Sequence, residues 1–307
     1  MAVYTTLTES EIRGLLSHFD LPALWSFQGA SSGVENTTYF LTLESGAQYV
    51  LTVFEYFSPQ SLRPYIKLTT QLHQQRLPVP CPLVDRQGIV LHTTAGKPAL
   101  LFTRAPGNHI ESVDPPICQQ VGSMLARIHL AIPNPEMFSL AQSCSLIWMK
   151  ETLTLVKSSL DKSDINLLER QLELSADLQT RHLPRGIIHG DLFRDNVLIQ
   201  DSVITAVIDF YNAGPDILLI DLAIAANDWC FTQKSSGNDC ESALLDGYQM
   251  IRPLSEVEHS SWRDCLQVAA ARLWLSRQKR LLMPQQGYER TIKDPGEYRS
   301  LLLYHLK

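Results

Sequence analysis

The 307-residue chain lacks most of the features that would mark it for a membrane, a secretory route or nucleic acid. No apolar run reaches the length of a transmembrane helix. The opening residues, MAVYTTLTESEI, have neither a basic n-region nor an apolar h-region, so no secretory signal is expected. The net charge is −6, which argues against a dedicated nucleic-acid binder and gives no basic patch for a membrane surface. The six cysteines (81, 118, 144, 230, 240 and 265) include no C-x-x-C pair. That excludes a cysteine-based zinc framework and fits reduced thiols in the cytoplasm. There is no internal repeat, no low-complexity tract and no G-K-[ST] phosphate loop. Nothing in the sequence calls for an obligate protein partner. What remains is an ordinary globular composition, 45% apolar, long enough for two domains.

The informative stretch is Ile187–Phe210, IIHGDLFRDNVLIQDSVITAVIDF. Two short apolar runs, Asn196–Ile199 and Ile204–Ile208, read as strands of a hairpin turning at Gln200–Val203. His189, Asp191 and Asn196 precede or open the first strand, and Asp209 closes the second. This brings Asn196 and Asp209 to one end of a two-stranded ribbon, with Asp191 on the loop leading in. Asn196 and Asp209 can supply the hard oxygen ligands that Mg²⁺ requires. Asp191 is left to take a proton from a hydroxyl. Each carboxylate alone would more simply serve an Asx-turn or a cap; it is their joint spacing that points to chemistry.

The pattern H-x-D-L-x-x-x-N, then a strand ending in D-F, resembles the catalytic segment of the protein-kinase-like superfamily. The H-G-D form resembles its small-molecule branch, the aminoglycoside and choline kinase-like phosphotransferases. The implied fold is α+β and bilobal. A small antiparallel β-rich lobe would occupy residues 1–104 and bind nucleotide. A larger, mostly helical lobe at 105–307 would carry catalysis and the acceptor. The implied cofactors are ATP and Mg²⁺, with ATP between the lobes and a hinge near Arg104–Gly107.

Around that centre the chain reads as follows. Thr8 and Glu11 form a capping box opening a helix that runs to about His18. Strands are expected at Trp25–Phe27, Thr38–Leu43 and Tyr49–Phe54. Between the first two lies GASSG, where Gly29, Ser31, Ser32 and Gly33 could bring backbone N–H groups and hydroxyls to phosphate oxygens. Kinases place a lysine on the third strand; alternation puts Thr52 there. Arg63 and Lys67 are conceivable substitutes, though a solvated helix face explains them as well. Glu55 is ambiguous between a site residue and a strand-end charge. Leu62–Gln75 reads as a helix, followed by strands near Gly88–His92 and Ala99–Thr103. Helices are expected over Pro116–Leu130, Leu146–Leu160, Ser163–Gln179, from Asp216 onward, over Trp262–Leu282 and near Leu301–Leu303. Met124 reads as core filler, and His129 as a helix-end histidine bonding carbonyls. Asp221 lies inside an apolar run; an unpaired buried carboxylate is costly, so it should find a partner in the catalytic-loop backbone or His189. Asp228 and Trp229 could hold a positively charged substrate beside a planar wall, or be a surface acid and a packed indole.

A narrower resemblance covers about residues 8–302. The segments GVENTTYFLTLESGAQYVLTVFE, GIIHGDLFRDNVLI, VIDFYNAGPDILLIDLAIAANDWCF, AARLWLSR and KDPGEYR resemble the homoserine kinases of kinase-like fold. In that family the position of Thr52 is commonly not lysine. The resemblance implies ATP-dependent phosphorylation of L-homoserine, with Asp191 as base, Asn196 and Asp209 on Mg²⁺, and Glu55 or Asp228 near the substrate amine. Two alternatives stay open on the residues alone. One is a kinase for another aminated alcohol, such as choline, ethanolamine or an aminoglycoside. The other is a nucleotide-binding pseudokinase, which the missing lysine would favour and the retained Asp191, Asn196 and Asp209 would not.

Overall fold

A computed structural model of the chain describes residues 3–30, 36–110, 112–132, 135–138, 140, 145–231, 238–282 and 293–307. The chain divides into two compact units, the first ending at Ala105 and the second beginning at Pro106.

The first unit is built on a five-stranded antiparallel sheet. Helix α1 (Glu9–Leu16) opens it, and Thr8 and Glu11 close a reciprocal capping box, worth about 1 kcal/mol. Strands β1 (Leu24–Gly29), β2 (Thr37–Leu43), β3 (Gln48–Val53), β4 (His92–Thr94) and β5 (Lys97–Thr103) lie in the order β1-β2-β3-β5-β4. Helix α2 (Pro59–Gln74) follows β3, its N-terminus capped by Ser58. Alternation along the strands sends Tyr39, Leu41, Leu43, Leu51 and Val53 to one face, where they pack with Ile12, Leu15 and Leu16 of α1. Thr52, registered with Thr38 and Leu100, belongs to the opposite face. One expected strand is displaced. Residues 88–91 pair with no strand; Asp85–Ile89 forms a turn, and the strand begins only at His92.

The second unit is mostly helical: α3 (Pro115–Leu130), α4 (Leu146–Val156), α5 (Lys162–Leu178), α6 (Leu218–Trp229), α7 (Asn238–Gln249), α8 (Glu256–Leu282) and α9 (Gly296–His305). Its core gathers Met149, Leu153, Leu168, Trp274, Leu301 and their neighbours from α4, α5, α8 and α9. Four short strands make two ribbons. β6 (Arg185–Ile188) pairs with β9 (Gly214–Ile217), and β7 (Val197–Gln200) pairs with β8 (Val203–Val207). The tight β7–β8 turn places both Asp201 and Ser202 at positive φ, the twist a two-residue hairpin loop demands.

The helix expected from Asp216 therefore starts later. Gly214–Ile217 is drawn into pairing with β6, a choice that periodicity cannot make for a short apolar run. Asp216 instead forms a buried 2.6 Å ion pair with Arg272. All 12 residues of helix α6 are buried, among them Asp221, Asn227 and Asp228.

Candidate active site

The loop that carries the H-G-D pattern leaves β6 at Ile188 and re-enters sheet at Val197. Its first polar residue, His189, is fully buried. Its Nδ1 accepts the Asp191 N–H at 3.2 Å, so the ring proton sits on Nε2, which donates to the Ile208 carbonyl at 3.0 Å. Burial, above all, depresses its pKa and keeps the imidazole neutral. The neutral ring thus ties the loop to the residue before Asp209. Phe210 packs on it, ring centres 4.4 Å apart.

Gly190 has φ +77°, and a Cβ there would meet the Asn212 carbonyl at 2.8 Å. Both the left-handed backbone and the close approach exclude a side chain. The middle residue of H-G-D is glycine for that reason.

Asp191 is half-buried. Asn196 Nδ2 donates to its carbonyl at 2.7 Å and to its Oδ2 at 3.3 Å, and Asn212 Nδ2 reaches the same oxygen at 3.5 Å. Nothing in the sequence marks Asn212 except its place just beyond D-F. Committing the Asn196 amide nitrogen to Asp191 turns its carbonyl oxygen the other way. The Ile208 N–H donates to the Asn196 carbonyl at 2.9 Å, which sets Asp209 next to Asn196 across the hairpin. Asp209 has φ +65°, a strained setting for a residue with a side chain and one that clusters at functional sites. Two hard oxygen donors in such neighbourhood fit a Mg²⁺ ion.

One helix clamps this loop. Asp221 of α6 is fully buried and accepts from the His189 N–H at 2.7 Å, the Gly190 N–H at 2.8 Å and His129 Nε2 at 3.0 Å. Burial pushes its pKa up, but the His129 hydrogen bond and charge, with His189 and the Gly190 N–H, outweigh that and leave it below the usual carboxylate range. Two turns on, Asp228 accepts from the Arg194 N–H at 2.9 Å and from Arg194 Nε at 3.2 Å. Trp229 donates from Nε1 to the Leu192 carbonyl at 3.0 Å.

Several sequence expectations change here. Trp229 is fully buried and cannot be the planar wall of a substrate pocket. Asp228 is engaged by Arg194 and caps the loop; it is not an open counter-ion for an amine. Glu55 is likewise engaged, by Lys97, by Thr37 Oγ1 at 2.6 Å and by Thr5 Oγ1 at 2.9 Å. Burial raises its pKa, but these donors, Lys97 foremost, bring it below the ordinary value. His129 bonds no helix-end carbonyl. Its Nδ1 meets the Tyr248 hydroxyl at 2.7 Å and its Nε2 holds Asp221. Arg63 and Lys67 sit on the exposed side of α2. Gly29 ends β1, where a Cβ would meet Val3 Cγ2 at 2.5 Å, so glycine there also makes room for Val3. Ser31, Ser32, Gly33 and Glu35 lie outside the described residues.

Residues 26–254 match the profile of a family described as the phosphotransferase enzyme family. A homoserine kinase of Methylobacillus flagellatus is 38% identical over 307 residues, covering 100% of this chain and 96% of that protein. A homoserine kinase of Methylobacillus glycogenes is 37% identical over 303 residues, covering 98% and 95%. Among solved structures, an amicoumacin kinase in complex with AMP-PNP, Ca²⁺ and its antibiotic superposes with a TM-score of 0.71 at 17% identity, covering 98% of this chain and 92% of that one. That likeness establishes the kinase-like fold.

Proposed function

Because the chain belongs to the phosphotransferase enzyme family and matches homoserine kinases along its whole length, we propose that it transfers the γ-phosphoryl group of ATP to the hydroxyl of L-homoserine. The product is O-phospho-L-homoserine, an intermediate of threonine biosynthesis. The observation that carries the chemistry is the Asp191 carboxylate, held by two amide donors on a loop that α6 fastens at four of its residues.

Phosphoryl transfer asks the protein mainly for alignment and charge compensation, since its transition state is loose. Asp191 receives the acceptor hydroxyl as a hydrogen-bond partner and takes its proton as the O–P bond forms. The Asn196 and Asn212 amides stabilise the ionised carboxylate and fix its direction. Asn196 and Asp209 would hold Mg²⁺, which neutralises phosphate charge when bound. On the first unit, Gly29, which ends β1, and Thr52 on β3 are the described residues assigned to nucleotide binding. No helix among the described residues is long and apolar enough to cross a membrane. The reading is of an enzyme of the cytoplasm, with small molecules as its partners.

A coupled assay of ATP consumption across L-homoserine, L-serine, 3-amino-1-propanol, choline, ethanolamine and an aminoglycoside tests the acceptor. Homoserine should lead in kcat/KM. A polar site built for an amine and a carboxylate rejects 3-amino-1-propanol, which lacks the carboxylate, by orders of magnitude. Serine places its hydroxyl one carbon short of Asp191, and misalignment alone is costly. Equal use of choline and homoserine would overturn the substrate; no turnover with any acceptor would favour a nucleotide-binding module.

A further inference from the structure

We propose that His18, Asp85 and His92, all in the first unit, form a binding site for a divalent transition-metal ion of the zinc class. Each residue offers a ligand atom, and the three atoms lie within 4.8 Å of one another. They come from three segments: His18 from just past α1, Asp85 from the turn that replaces the expected strand, and His92 from the start of β4.

The turn explains where the carboxylate points. Asp85 Oδ1 accepts the Gln87 and Ile89 N–H groups, each at 2.8 Å. That occupies one oxygen and aims the other, Oδ2, at His92 Nε2, 3.6 Å away. The two side chains are 1% and 10% exposed, yet neither of these atoms has a hydrogen-bond partner. At 3.6 Å they are too far apart to bond each other. A charged pair free to close would sit nearer 2.8 Å. Two ligands of one tetrahedral ion with bonds of about 2.0–2.1 Å stand roughly 3.4 Å apart, close to the observed spacing. Two buried, unsatisfied atoms facing each other at that distance are costly alone and complementary to a cation.

The remaining chemistry agrees. A ligating imidazole must be neutral, and the His92 side chain is only 10% exposed, a setting that disfavours the charged ring. His18 is exposed, its ring centre 5.3 Å from that of His92, and can close from the solvent side. Its backbone is held in place, since Arg86 N and Nε both donate to the His18 carbonyl at 3.2 Å. Two imidazoles and one single-oxygen carboxylate suit zinc and its neighbours, whereas Mg²⁺ and Ca²⁺ select all-oxygen sets. A fourth position is left for water. None of the three residues belongs to the machinery proposed for phosphoryl transfer. The bound ion would staple the end of α1 to the Asp85 turn and β4.

The test uses the full chain, stripped of metal by chelation and kept in saturating Mg²⁺. Co²⁺ serves as the spectroscopic probe, Zn²⁺ as competitor. One equivalent of Co²⁺ should give d–d bands of nitrogen and oxygen coordination with no thiolate charge-transfer band, and Zn²⁺ should abolish them. Zn²⁺ should also raise the thermal midpoint of the wild type. H18A and H92Q should lose the bands, with affinity down by more than the ~10–100-fold that an outer-shell change costs. His18 is exposed, so metal-free H18A should melt like the wild type and turn over homoserine at the same rate. Equal Co²⁺ affinity in H18A and wild type, a thiolate band, or no high-affinity binding by the wild type would overturn the proposal.

Discussion

Asp191 is the side chain on which the proposed chemistry turns, and its surroundings say what a single atom should change. Asp191→Asn keeps the shape but cannot accept a proton. We expect kcat to fall by about 10²–10⁴-fold, the usual contribution of a positioned base, with a thermal midpoint near that of the wild type. Steady-state assay beside a melting curve checks both; near-normal turnover in a folded variant would remove Asp191 from the role. The residues of this segment were legible because their spacing is short and local. His189, Asp191, Asn196 and Asp209 fall within 21 positions. Asn212 was not legible, because asparagine after D-F looks like any loop residue until its amide is seen 3.5 Å from Asp191 Oδ2.

At the scale of elements, α6 is the support for the catalytic loop. Its sequence, LLIDLAIAANDW, reads as a buried helix carrying two misplaced acids. The acids are there because the loop beside it has backbone N–H groups to satisfy, and each charged hydrogen bond is worth about 1.5–3 kcal/mol. This changes the expectation for Asp228. If it held the substrate amine, Asp228→Asn would raise KM for homoserine alone. As a clamp on Arg194, the variant should lower kcat by up to ~10-fold through loop misplacement while KM for homoserine stays within about 2-fold. A selective rise in homoserine KM with kcat intact would return the residue to the substrate. The ribbon β6–β9 shows the opposite kind of difficulty. Four-residue strands carry too little period to be separated from the first turn of the helix that follows.

For the whole molecule, buried histidines set the acid limb of stability. Burial lowers the His305 pKa to about 4 and depresses that of His189 as well. In both the folded value lies below the unfolded one, about 6.5. The stability they contribute is complete above that pH and is lost as pH falls through the folded values. Asp221, also depressed, adds a second loss below about pH 4. The melting temperature should therefore decline from pH 6.5 toward 4. His305→Gln should flatten that decline, since glutamine can still donate to Asn227 Oδ1 as the ring does at 2.8 Å. Parallel curves for variant and wild type would show that His305 does not set the slope.

The sequence by itself determined the fold class, an antiparallel sheet followed by a mostly helical part, and the run from His189 to Asp209 that carries the family resemblance. Period, capping boxes and turn chemistry act over a few residues, and the hairpin brings Asn196 and Asp209 together by register alone. Only the tertiary structure decided which partner each buried polar group takes. His129, read as a helix-end histidine, meets Asp221 across 92 positions, and Asp216 finds Arg272 across 56. Thr5, Thr37 and Lys97 converge on Glu55 from three separate segments. A buried charge must be paired wherever packing brings a partner, and packing joins residues whose separation along the chain carries no signal.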